Sequence, residues 1–235
     1  MQMPIGRRNL ESGKHIPDFN ALLDEQRAAV YALRSQVENA TNSRETILEV
    51  YASRLLTEVL EKFAPEDLGH SGWDLRGLET ELKEQFGLNL EAAGIRPLQL
   101  GWQALRREIL NRLKQEYEAK ENILGAETMR YHERMVMVSV IDGLWKEHSE
   151  AIDRLAELIE SNKNGQEDSS IDPMDLGQRM FKIMMRKFKA DSVRFLFRMQ
   201  ILGPDGEQID TRPARRRADP MSSLHLAGLR NDRDR

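Results

Sequence analysis

Five histidines and no cysteine limit the chemistry this chain can carry. Without thiols there is no disulfide, no thiolate metal site and no cysteine nucleophile. Only His148 falls on a helical apolar seam, where a lone imidazole is ordinarily a hydrogen-bonded core residue rather than a metal ligand or proton carrier. His132 and Glu133 are adjacent, so on a helix they point to different sides and form no site. Asp142 and Asp153 lie on similar sides of one helix, and capping or salt bridges to neighbours are their expected use. No GxxxxGK[ST] phosphate loop, GxGxxG turn, HExxH pair or Glu-x-x-His pair occurs. The sequence therefore offers no recognisable nucleotide or metal site, and this chain as it stands is expected not to be an enzyme.

Two further patterns bear on partners. Eight of the eleven methionines lie between Met129 and Met199. Methionine fills irregular cores, and it also lines grooves that accept varied apolar partners; core filling is the expected use here. Arg179, Lys182, Arg186 and Lys189 follow a 3-4-3 spacing, a basic stripe suited to solvent, to an anionic membrane surface or to an acidic partner. The net charge of −4 is uneven: +5 over residues 174–200, +1 over 203–235 and −10 over 1–173. A net acidic chain argues against a simple nucleic-acid binder. No apolar run approaches the roughly 18 residues of a membrane span, and no signal-peptide core is visible, so a soluble chain in a reducing compartment is expected.

The elements that must hold these residues read as helices. With 235 residues, few Gly and Pro, and only four Tyr, the composition leans away from β-structure. From Phe19 the positions Leu23, Gln26, Val30, Leu33 and Val37 make one stripe, with Asp18 as the expected N-cap of a helix of about 25 residues. Ser43 can cap a second helix with Ile47, Tyr51, Leu55, Val59 and Phe63 inward. A loop over 65–74 leads to a short helix over 75–86, which Gly87 suits as C-cap. Residues 88–97 read as irregular, and 98–124 as a helix broken weakly at Gly125. Val138, Ile141, Trp145, His148, Ile152, Leu155 and Ile159 then form a seam for lengthwise packing. After a polar turn over 161–170, Asp172-Pro173 opens a helix carrying Met180, Phe181, Met184, Phe188, Phe195, Leu196 and Met199. Two long helices joined by a polar turn predict an antiparallel hairpin. The Arg-rich segment after Leu202, with Arg212, Arg215, Arg216 and Arg217, is expected to be a disordered tail.

Several stretches in order resemble the C-terminal half of the SecA family, the ATP-driven motors of bacterial preprotein export. Leu22-Leu23-Asp24-Glu25-Gln26-Arg27 with Val30-Tyr31 and Arg34 is similar to a segment of that family's long scaffold helix. Trp73-Asp74-Leu75, Gly77-Leu78 and Phe86-Gly87-Leu88 resemble its helical wing. Glu133-Arg134, Ile141-Asp142, Trp145-Lys146-Glu147-His148, Asp153 and Leu155 resemble the first helix of its two-helix finger, and Asp172-Pro173 with Phe195–Ile201 fits the return helix.

The resemblance implies an all-α fold, an elongated long-helix scaffold with a small helical wing and an antiparallel two-helix finger. The implied division is 1–43 for the scaffold helix and its lead-in at Arg7-Arg8-Asn9-Leu10, 44–124 for the wing, 125–202 for the finger and 203–235 for the tail. The implied scaffold residues are Asp24, Gln26, Arg27, Tyr31, Arg34, Glu133, Arg134, Asp142, Trp145, His148 and Asp153. The finger tip at Asn162, Lys163, Asn164, Gly165 and Gln166 would contact substrate or channel, although it lacks the family's Tyr and Arg pattern, and Ser149 stands where the family has Leu. The implied role is mechanical, coupling ATP-driven motor domains absent from this sequence to the passage of unfolded preprotein through a SecY-type channel. No cofactor is expected in this chain, because ATP and Mg belong to the motor domains and the cysteines of the family's zinc tail are lacking. A motor fragment acting in trans is a further implied partner, and a cytoplasmic location, peripheral to the inner membrane, is the implied setting. The rival expectation is a helical adaptor that binds membrane surfaces through its basic, Met-rich helix.

Overall fold

The computed structural model describes residues 16–162, 173–202, 205–207 and 209. Among them the fold is all-α, built from seven helices with no strand. Helix α1 spans Ile16–Glu38, α2 Ser53–Phe63, α3 Leu75–Phe86, α4 Leu90–Ala93, α5 Trp102–Leu124, α6 Ala126–Asn162 and α7 Pro173–Arg198. Helix α1 starts at Ile16, so Asp18 lies inside its first turn instead of capping it.

The 37 residues of α6 make a rod of about 56 Å, and α7 returns along it. Helix α1 runs antiparallel to α6: Gln26, Arg34 and Ala40 meet His148, Asp142 and Arg134 in reverse order. The predicted seam is real but graded. Ile141, His148 and Ile152 are buried while Val138, Trp145 and Leu155 are half-buried; the side chain of Ile159 lies outside the described residues. On α7, Met184, Phe188 and Leu196 are buried, whereas Phe195 is half exposed although it stands seven residues after Phe188.

Between α1 and α6 sits a smaller helical unit. Its entry is a π-helical segment, Thr46–Ala52, that runs straight into α2. The wider π turn rotates the residues after it, so Leu56, Val59 and Leu60 are buried and the expected Leu55 and Phe63 are only half-buried. The motif around α3 has a physical reading residue by residue. Trp73 Nε1 donates to the Pro65 carbonyl at 3.0 Å, and Asp74 caps α3 by accepting from the Gly77 amide at 2.9 Å. A Cβ on Gly77 would lie 2.5 Å from the Phe63 ring, so only glycine lets α2 and α3 close. Gly87 ends α3 at φ +71°, and Phe86 and Leu88 on either side are buried.

Two expectations for this unit need correction. The stretch expected to be irregular contains α4, which Asn89 caps through the Ala92 amide at 2.7 Å. The long helix begins at Trp102, after a short 3-10 turn at Pro97–Gln99, because Gly101 is extended. A single residue, Gly125 at φ +84°, separates α5 from α6. One continuous apolar core joins all the long helices, and Leu23 and Ile152 with Leu155, Met174 and Met180 form a second cluster toward the end of the hairpin where α6 finishes and α7 starts.

Candidate functional site

Two buried polar junctions hold the hairpin, and both lie on residues singled out by the motifs. The first joins three helices at one amide. Gln26 on α1 donates from Nε2 to the Gly177 carbonyl of α7 at 3.2 Å, and its Oε1 stands 2.9 Å from His148 Nε2 on α6. Because the amide NH2 is used toward Gly177, the oxygen must accept, so His148 carries its proton on Nε2. Gln26 and His148 are both buried, and the imidazole is flanked by the rings of Trp145 and Phe181 at 5.6 and 5.8 Å. Burial lowers the His148 pKa, so the ring is neutral at pH 7. The cleft beside it, lined in part by Leu23, Arg27 and Asp153, is about 10 Å³, room for one water at most. This is a packed joint and not a ligand pocket.

About two turns further along α1, Arg34 reaches Asp142 with two bonds, Nε to Oδ1 at 2.9 Å and Nη2 to Oδ2 at 3.3 Å, and also meets Glu38. That fork is exposed and sets the register of α1 on α6. Asp24 and Arg27 pair with each other on the surface, and Tyr31 is exposed.

The second junction lies at the base of the hairpin. Glu133 is fully buried; Tyr117 of α5 donates to its Oε1 at 2.5 Å, and Arg130 Nη2 lies 2.9 Å from the same oxygen. Arg130 also approaches Glu121 at 3.2 Å and donates to Asn42 Oδ1 at 3.0 Å, while Arg44 meets Glu121 at 3.3 Å. Two guanidinium groups face two carboxylates, so the cluster is neutral as a whole. Burial raises the Glu133 pKa, and burial with the neighbouring carboxylate raises that of Tyr117. Close by, buried Lys120 donates to the Leu196 and Phe197 carbonyls at the end of α7, and its pKa is pushed down to about 8 by desolvation.

Of the predicted residues, Gln26, Trp145 and His148 come together at the first junction, Arg34 and Asp142 at the exposed fork, and Glu133 is the centre of the second. Arg134 reaches toward the Ala40 carbonyl at 3.5 Å, while Asp153 is exposed on the cleft rim. Asn162 is the last residue of α6, and Lys163, Asn164, Gly165 and Gln166 lie outside the described residues, as does nearly all of the Arg-rich segment. Arg44, Tyr117, Lys120, Glu121 and Arg130 belong to no motif of the sequence. Leu105, Ile109, Leu113, Tyr117 and Lys120 occupy one face of α5, so the legible signal was a lysine on an apolar stripe.

The basic stripe is largely engaged. Arg179 pairs with Asp175, Arg186 with Glu58, and Lys189 lies over the Tyr51 ring. Met129, Met137 and Met184 are buried, so much of the methionine cluster fills the core and does not line a groove. Among the described residues no three His, Asp or Glu side chains could hold a metal ion, and no helix is long and apolar enough to cross a membrane.

Fold and junctions together define an all-α scaffold protein in which a long hairpin is braced at two levels. Residues 1–200 match the SecA Wing and Scaffold domain, and the chain belongs to that family. It is 38% identical over 226 residues to the protein translocase subunit SecA of Acidobacterium capsulatum, an alignment covering 95% of this chain and 23% of that protein. The protein translocase subunits SecA of Koribacter versatilis and Pelotomaculum thermopropionicum are 37% and 30% identical, over 86% and 88% of this chain and 20% and 23% of theirs. The chain thus spans about a quarter or less of the length of these relatives.

Proposed function

We propose that this chain is the mechanical transmission of a SecA-like translocase. Residues 1–43 serve as scaffold, 44–124 as wing and 125–202 as a two-helix finger, coupling motor domains outside these 235 residues to movement of unfolded preprotein at a SecY-type channel. The carrying observation is the Gln26 amide, which binds both hairpin helices at once, so that a displacement of α1 moves α6 and α7 together. The close packing around His148 supports the same reading, since a lever transmits displacement only where its joints do not yield. In this role the chain itself hydrolyses no ATP, acts in the cytoplasm against the inner membrane, and uses the segment between α6 and α7 as its contact with the client.

The test is reconstitution. The pure chain should show no ATPase activity, and a SecA motor fragment lacking its own scaffold and wing should bind it in pull-down. Gln26→Leu should keep that binding and lose stimulation of preprotein translocation. Hydrolysis by the pure chain, or no binding of the motor fragment, would overturn the reading.

A further inference from the structure

The Gln26 joint involves α1, α6 and α7, whereas α5 contributes two buried polar groups of its own, Tyr117 and Lys120. Tyr117 and Lys120 are three residues apart and so share one face of the helix. Tyr117 donates to Glu133 on α6, and Lys120 donates to the last carbonyls of α7, at Leu196 and Phe197. The two groups therefore reach the two arms of the hairpin separately.

The end of α7 is enclosed from the same side. The Phe197 ring meets Phe86 edge-on at 5.7 Å and Tyr117 at 5.5 Å. Gln85 donates to the Ala190 carbonyl at 2.8 Å, and Arg198 to the Glu84 carbonyl at 3.3 Å. The final carbonyls of a helix have no partner within it, so a buried ammonium that accepts this duty both satisfies them and complements the negative end of the helix dipole. A desolvated lysine is an expensive way to do so, and a methionine of similar length would pack at less cost. Chain connectivity adds to this: α6 leaves α5 only five residues after Lys120, through Gly125, so α6 begins where α7 ends.

We infer that Tyr117 and Lys120 of α5 form a clamp that closes the base of the α6–α7 hairpin and makes its two helices move as one body. The clamp builds on the lever reading, but it is tested on the chain alone, without motor or channel, so its failure would leave the reconstitution result standing.

The absence of cysteine lets spin labels be placed in pairs. One pair goes at the base, on Thr128 and Phe195; a second goes near the Gln26 joint, on Asp153 and Lys182; all four positions are exposed. Wild type should give one narrow distance for each pair. Lys120→Met should lose the single narrow distance at the base and keep it at the joint. Ile109→Ala, a cavity elsewhere on α5, should lower stability yet leave both distances narrow. An unchanged base distance in folded Lys120→Met, or equal broadening by Ile109→Ala, would overturn the clamp. Hydrogen exchange of the wild type reads the same inference without a variant. Amides of 199–201 should exchange in one cooperative unit with those of 129–133, and independent exchange would overturn it.

Discussion

The two junctions hold the same hairpin by opposite physical means. At Gln26 the bonds are neutral, amide to imidazole and amide to carbonyl, set among aromatic rings. At the base they are made by buried ions, Glu133, Arg130 and Lys120, whose desolvation is offset only while every partner stays in place. A neutral joint can give up one bond and survive. An ionic one fails sharply when a partner goes. The base is therefore the junction whose stability depends most on every partner, and the joint the one that loses less when a bond is removed.

The largest effect should come from breaking the base. Glu133→Ala strands Arg130 beside a partly used Glu121 and leaves the Tyr117 hydroxyl without its acceptor, and it should cost about 3–5 kcal/mol in urea unfolding. A loss under about 1 kcal/mol would erase the contrast. Next comes the joint. Gln26→Leu should cost about 1–3 kcal/mol by leaving the His148 N–H unpaired. Adding His148→Leu to it should recover part of that loss, since replacing both partners by apolar groups removes the orphan. No such recovery is expected at Glu133.

The two junctions should also separate by pH. The folded pKa of Lys120, about 8, lies below the ordinary 10.5, so the unfolded chain binds more protons between these values and stability should rise with pH across that interval. Lys120→Met should remove this rise, seen as a flatter unfolding midpoint against pH. The His148 pKa is likewise lowered from 6.5, so its contribution is fully present above pH 6.5 and is lost as pH falls through the lower folded value. Lys120 thus titrates in alkali and His148 in acid. A common window for both would break the comparison. The smallest effect should be at the exposed fork. Arg34→Gln should leave the unfolding midpoint nearly unchanged at high salt and lower it slightly at low salt.

Much of the architecture was legible in the sequence because the spacing of apolar residues on a helix is a local property. The α6 seam, the α7 stripe and the Gly87 cap could each be read from neighbours a few residues away. Motif resemblance located Gln26, His148 and Glu133, but it did not say what they touch. The π turn at Thr46–Ala52 and the burial of Leu56 and Leu60 were not legible, since a widened turn leaves no spacing signature of its own. Phe195 was misplaced because apolar character on a helix does not by itself establish which side faces the core.

The sequence by itself determined that this chain is helical, which helices are long, where glycine must stand, and which family it belongs to. Only the tertiary structure decided that one glutamine binds two helices, and that Tyr117 and Lys120 reach different arms of the hairpin. Those contacts join residues far apart in the chain, and a buried charge has no local pattern that names its partner. The partner is selected by the desolvation that packing imposes, and packing exists only once the helices have met.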